Sequence, residues 1–245
     1  MNLELAQKIS RILEDDKSPS IGSDTWMKWF IGREGNQYFC EVDYDFITDR
    51  FNLMNLMDAV PKYTQVIQYI VDKLSPTILE RMTIPRLKNL EVTSRKMYGL
   101  VHARYIITIK GLKKMNQKYK DADFGRCPRE YCDNHPLLPV GLHDTPGIDT
   151  VKLYCPSCED LYNPRESKIS SVDGAFFGTT FPGIMLQTFP EIVPTHPIKR
   201  YTPTISGFEL HDEGQLARWQ ELQRLKLIKS RENTSFIPGS AGDYK

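Results

Sequence analysis

Four of the five cysteines fall in two close pairs, Cys127-Pro-Arg-Glu-Tyr-Cys132 and Cys155-Pro-Ser-Cys158, with 22 residues between the pairs. A turn holding two thiolates can set both sulfurs at about 2.3 Å from one Zn²⁺, and a second such turn completes a tetrahedron. Cys155-Pro156-Ser157-Cys158 has knuckle spacing, and the wider first pair stays within the permitted range. Four protein ligands leave no open coordination position, so the expected ion is one structural Zn²⁺ per chain. A redox pair or a chance spacing are the competing readings. His135 and His143 lie between the pairs, but with four cysteines in place they read as ordinary loop residues. Cys40, between Phe39 and Glu41, reads as a small buried apolar side chain.

An odd cysteine count suits no disulfide framework, and Met1-Asn2-Leu3-Glu4-Leu5 lacks the basic-then-apolar start of a signal peptide. No apolar run approaches the ~20 residues that cross a bilayer. A soluble intracellular protein of nucleus and cytoplasm, with no membrane association, is expected. The 32 Lys and Arg against 31 Asp and Glu leave a net charge of +1, which disfavours polyanion binding by bulk charge. Between 127 and 162, Arg129 and Lys152 are outnumbered by Glu130, Asp133, Asp144, Asp149, Glu159 and Asp160. That balance argues against a zinc-ribbon nucleic-acid adaptor.

Residues 1–25 read as a polar lead-in with a short amphipathic stretch. Trp26, Trp29 and Phe30 then share one helix face, with Ser23 or Asp24 available as N-cap. Asp43-Tyr44-Asp45 opens a short helical run carrying Phe46, Ile47 and Phe51. A further helix carries Tyr63, Val66, Ile67 and Ile70. After Pro85 the apolar positions step by threes and fours from Leu87 to Tyr119, which predicts one helix of roughly nine turns. Its terminal lysines read as a solvated face. Beyond Asp123 prolines and short β-like pieces such as Val151–Tyr154 predict a loop-and-ribbon region that needs a staple. Thr180–Pro203 reads as extended, and 213–229 as a helix with Leu216, Trp219, Leu222 and Leu225 on one side. The tail after Ser230 is expected to be disordered.

Asp123-Phe124-Gly125 spells a kinase magnesium tripeptide, but neither a glycine-rich phosphate loop nor a catalytic HRD accompanies it. No phosphate-binding loop, nucleophile elbow or H-E-x-x-H motif is present. Catalysis has no candidate residues, and the chain is not expected to be an enzyme.

Several segments together resemble the regulatory (beta) subunit family of casein kinase II. They are Trp26-Met-Lys-Trp29-Phe-Ile-Gly32, Phe39-Cys-Glu-Val-Asp43, Arg50-Phe-Asn-Leu53 and Tyr98-Gly-Leu-Val-His-Ala-Arg-Tyr105. Asp123-Phe-Gly125, the cysteine set, Asp173-Gly-Ala-Phe-Phe-Gly178 and Gly207-Phe208-Glu-Leu-His211 complete the series. Ile47–Leu56 and Arg218–Leu227 are most similar to the fungal second regulatory isoform.

The resemblance implies a mostly α N-terminal domain over 1–122, a small zinc-ribbon β domain over 123–179 that dimerises, and an extended kinase-docking tail over 180–245 ending in a helix. It further implies a non-catalytic subunit whose dimer holds two catalytic alpha subunits and modulates the choice of protein substrates. The dimer is a homodimer or a heterodimer with a sister regulatory subunit. By position, Pro128, Tyr131, Leu161 and Tyr162 belong to the dimer contact, although the two tyrosines could instead merely cover the metal site. Ser206, Gly207 and Phe208 match the docking loop, with Ile184 at a supporting position. Many relatives carry an aromatic where this chain has Ser206, and an acidic loop where it has Lys73–Arg81. The polyamine response tied to that loop is therefore not carried over. The alternative is a zinc-dependent dimeric scaffold that has lost direct kinase docking.

Overall fold

The computed structural model describes residues 25–194, 204–209 and 211–234. The lead-in before Thr25 and the tail beyond Thr234 lie outside the described residues. The chain divides into two compact units, Met1–Ile198 and Lys199–Lys245.

The first unit begins with short helices: α1 (Trp26–Ile31), α2 (Tyr44–Thr48), α3 (Leu56–Ala59), α4 (Tyr63–Ile70) and α5 (Pro76–Arg81). Two longer ones follow, α6 (Ile84–Tyr105) and α7 (Ile109–Lys120). The N-cap of α1 is Thr25 rather than Ser23 or Asp24: its hydroxyl accepts from the Lys28 N–H. Phe51 lies beyond α2 and is exposed. Pro76–Arg81 forms a helix that its composition did not announce. Pro76 stands in the first turn, where a missing N–H costs nothing.

The expected nine-turn helix is broken at residues 106–108. Thr108 donates to the Tyr105 carbonyl at 2.7 Å and accepts from the Gly111 N–H at 3.2 Å, so one side chain closes α6 and caps α7. The chain folds back so tightly that a Cβ on Gly111 would sit 2.1 Å from the Tyr105 carbonyl oxygen. Apolar periodicity runs unbroken through the turn because Ile106 is itself buried.

Next comes an antiparallel sheet of β1 (Leu138–Val140), β2 (Lys152–Tyr154) and β3 (Leu161–Tyr162), in that order. Its register pairs Pro139 with Leu153, and Leu153 with Tyr162. α8 (Ser167–Ser170), a 3₁₀ turn (Gly174–Phe176), α9 (Phe181–Thr188) and a second 3₁₀ turn (Pro190–Ile192) complete the unit. Within Thr180–Pro203, expected to be extended, Phe181–Ile192 is therefore mostly helical. Phe181 and Met185 are completely buried, and Pro182 falls in the first turn of α9, so burial overrides the proline content.

Buried side chains of the helices and of the ribbon form one continuous core. Leu137, Leu138, Val151 and Leu153 enter it from the ribbon. The Asp173–Gly178 segment joins the two halves. Phe177 is completely buried with its ring 5.2 Å from that of Phe39, and Phe176 presses on Gly99 of α6, where a Cβ would meet the ring at 2.4 Å.

His102 bridges the same place. Its Nε2 accepts from the Cys40 N–H at 3.1 Å, so the proton sits on Nδ1, which donates to the Phe176 carbonyl at 2.9 Å. Complete burial holds this imidazole neutral and lowers its pKa from 6.5 to about 4. Unfolded His binds its proton near pH 6.5, so between pH 6.5 and 4 the unfolded chain takes up more protons than the folded one. His102 thus favours the fold fully above pH 6.5, and that contribution falls by about 3 kcal/mol as pH drops through 4. Urea unfolding at pH 7 and pH 5 should differ by about 2 kcal/mol from this group, a difference that His102→Gln should remove. An unchanged pH dependence in the variant would refute the assignment.

The second unit holds the hairpin of β4 (Thr204–Ile205) and β5 (Phe208–Glu209), then α10 (Asp212–Thr234). α10 runs past Ser230, where disorder is expected. Leu216, Trp219, Leu222 and Leu225 are spaced by three, so each step turns about 60° short of a full circle. They wind around the helix instead of sharing one side, and all four are exposed.

Candidate metal centre and docking hairpin

The ribbon draws its four cysteines together. The sulfurs of Cys127, Cys132, Cys155 and Cys158 lie within 4.8 Å of one another, all four residues are buried, and none is in a disulfide. Cys127 Sγ is 3.8 Å from Cys158 Sγ, and Cys132 Sγ is 3.7 Å from Cys155 Sγ. A tetrahedron with sulfurs about 2.3 Å from its centre has edges of about 3.8 Å. The cluster therefore fits a four-thiolate metal site, with each sulfur of one turn facing a sulfur of the other.

Backbone bonds shape both turns. Cys127 N–H donates to the His135 carbonyl and His135 N–H to the Cys132 carbonyl, closing the first. In the second, Glu159 N–H donates to the Cys155 carbonyl and Cys155 N–H to that of Asp160. Tyr131, Asp133, Asn134 and Glu159 all take left-handed φ values, between 48° and 67°, to make these reversals. Burial drives the Cys155 thiol up, against backbone N–H groups of Cys158 and Ser157 that donate to its sulfur. Burial likewise raises Cys132. Cys158 shifts the other way, held below the ordinary thiol value by hydrogen bonds that outweigh its burial, the Tyr162 hydroxyl's foremost.

His135 Nε2 lies 2.9 Å from the Tyr119 hydroxyl, and His143 is exposed; neither joins the cluster. The residues assigned to the dimer contact surround the turns. Pro128 is exposed, Tyr131 is 46% and Leu161 45% exposed, and Tyr162 is half-buried. Two links were not read from the sequence. Arg129 of the first turn reaches Asp160 of the second at 2.5 Å, and the Tyr162 hydroxyl lies 3.1 Å from Cys158 Sγ. The first is a pair of opposite charges 31 residues apart, invisible to local pattern.

Of the residues that the resemblance assigns to docking, Ser206 and Gly207 have φ of 50° and 85° and form the two-residue turn of the second unit's hairpin. Two consecutive positive φ values match the twist of a tight hairpin. Ile205 and Phe208 pair across it, 54% and 79% exposed. Ile184 lies on α9 of the first unit, half-buried against the core.

Residues 25–209 match the sequence model of the casein kinase II regulatory subunit. The chain is similar to casein kinase II subunit beta' of Saccharomyces cerevisiae, 62% identical over 234 residues, which is 96% of this chain and 91% of the relative. It is 48% identical over 208 residues to subunit beta-2 of Neurospora crassa, covering 85% of this chain and 72% of the relative. Over 217 residues it is 45% identical to subunit beta of Schizosaccharomyces pombe, covering 89% and 92%. With the four-cysteine ribbon and the motif series in place, these matches establish that the chain belongs to the casein kinase II regulatory subunit family, in its fungal second-isoform branch.

Proposed function

We propose that this chain is a non-catalytic regulatory subunit whose ribbon binds one Zn²⁺ and pairs with a second regulatory subunit. The resulting dimer holds two casein kinase II catalytic subunits, stabilises them and modulates which protein substrates they take. An N-terminal part over 1–122, a ribbon over 123–179 and a tail over 180–245 divide this work. The observation that carries the reading is the tetrahedral sulfur spacing inside a chain matched to this family over most of its length. No bond is made or broken by its own residues. Zinc supplies cross-linking strength to the ribbon, and Pro128, Tyr131, Leu161 and Tyr162 supply apolar surface for the partner. Phe208, beside the Ser206-Gly207 turn, inserts into the catalytic subunit, with Ile184 in support.

A second reading, a dimeric scaffold without direct kinase docking, is favoured by one observation: Ser206 places a small hydroxyl at the exposed hairpin tip. Light scattering after size exclusion separates them. Co-expression with a casein kinase II catalytic subunit should yield a tetramer-sized species, whereas a dimer eluting free of kinase would support the scaffold.

A further inference from the structure

The ribbon places a phenol beside a metal-binding sulfur. β3 pairs with β2 so that Tyr162 lies opposite Leu153, and successive strand residues point to opposite faces. Leu161 therefore faces away, 45% exposed, and Tyr162 turns in, its hydroxyl 3.1 Å from Cys158 Sγ. A metal-bound thiolate carries no proton, so in the loaded site only the phenol can donate. Among the described residues two side chains other than the cysteines hydrogen-bond a sulfur of the cluster, Tyr162 at Cys158 and Ser157 at Cys132. Arg129 stands next to it, held by Asp160, and brings positive charge towards the same sulfur.

We propose that Tyr162 is a positioning residue of the zinc site: its hydroxyl hydrogen-bonds the Cys158 thiolate, lowers that sulfur's nucleophilicity and slows loss of the metal. This rests on the zinc reading above. A thiolate that accepts a hydrogen bond donates less charge to electrophiles and to the metal, and partners beyond the ligand shell change metal affinity by about 10–100-fold. Tyr131 makes a useful contrast. It is in the same family-assigned contact surface, half exposed, yet lies on the first turn, and no bond from it to a sulfur is seen. A role confined to apolar surface would make the two tyrosines equivalent on loss of the hydroxyl.

The test uses the full-length zinc-loaded protein and its Tyr162→Phe and Tyr154→Phe variants. Zinc release to a chromogenic chelator and cysteine-resolved alkylation by N-ethylmaleimide are followed at equal protein concentration. Tyr162→Phe should release zinc about tenfold faster, with Cys158 alkylated ahead of its wild-type order, and Tyr154→Phe, a β2 phenol with no bond to a sulfur, should match the wild type. In the cobalt-substituted proteins the sulfur-to-metal charge-transfer band of Tyr162→Phe should move to lower energy while the tetrahedral d–d bands stay in place. Wild-type rates and an unshifted band in Tyr162→Phe would overturn the proposal. Should that variant fail to fold, 3-fluorotyrosine at position 162, a stronger donor of nearly the same shape, must slow release and raise the band energy. No change there overturns it equally. A wild-type protein that binds no zinc sinks the metal assignment itself, a result distinct from a zinc-loaded protein indifferent to the phenol.

Discussion

Replacing Cys155 by Ser should reduce bound zinc from one per chain to near zero and convert the dimer into a monomer. Serine retains the size of the side chain but substitutes a hydroxyl that neither ionises near neutrality nor matches thiolate affinity for Zn²⁺. Three ligands remain, and the two turns lose their shared centre. Metal binding to such sites in isolated fingers is worth about 10–16 kcal/mol and is coupled to the ordering of the chain. Against this stand only three strands of two or three residues each. The left-handed residues Tyr131, Asp133, Asn134 and Glu159 would then relax towards ordinary backbone angles, and with them the surface formed by Pro128, Tyr131, Leu161 and Tyr162.

The damage should be graded. Ribbon and helices share a core through Phe124, Leu138, Val151 and Phe177, so the helical half should persist but melt earlier, without a collapse of its far-ultraviolet helical signal. Metal analysis, light scattering and circular dichroism on one preparation decide the matter. A dimer of unchanged mass lacking zinc would refute the metal's role in pairing, and a variant that keeps one zinc per chain would refute Cys155 as a ligand.

How far this architecture can be read from the chain depends on the range of each interaction. Ligand spacing in Cys127–Cys132 and Cys155–Cys158 is local and chemically narrow, so the cluster is legible before any fold is known. The helices are legible where one face is buried, as in Tyr63–Ile70. The break at 106–108 is not, because Ile106 is buried and periodicity passes through it; its marker is Thr108 three residues before Gly111, a cap followed by a residue with no Cβ. The ribbon reads as needing a staple because few of its apolar residues lie in register. In the fold it also gains a wall, since Asp173–Gly178 carries Phe176 and Phe177 to Gly99 and His102. That contact spans more than seventy residues, and only the resemblance flags the segment at all. The Tyr162 bond to Cys158 escapes for another reason: it depends on the register of β2 with β3, which four-residue spacing alone does not specify.

Truncating Phe208 to Ala should weaken binding of the catalytic subunit at least about 30-fold, while zinc content and dimer mass stay unchanged. The hairpin turns on two residues, Ser206 and Gly207, whose positive φ values bring Ile205 and Phe208 side by side. A phenylalanine 79% exposed in its own chain has most of its ring still to bury. Buried aromatic anchors at interface centres commonly contribute about 2 kcal/mol or more, equivalent to about 30-fold in Kd. Ser206 adds no ring beside it, so the apolar contact is concentrated on Phe208, with Ile205 as neighbour. Concentration makes the single substitution severe where a second aromatic would have cushioned it. Ile205→Ala, removing a smaller and less exposed side chain, should cost distinctly less. Calorimetric titration of the zinc-loaded dimer with the catalytic subunit measures both. Equal affinity of Phe208→Ala and the wild type would mean that the hairpin is not the docking element, and would return the balance to the scaffold reading.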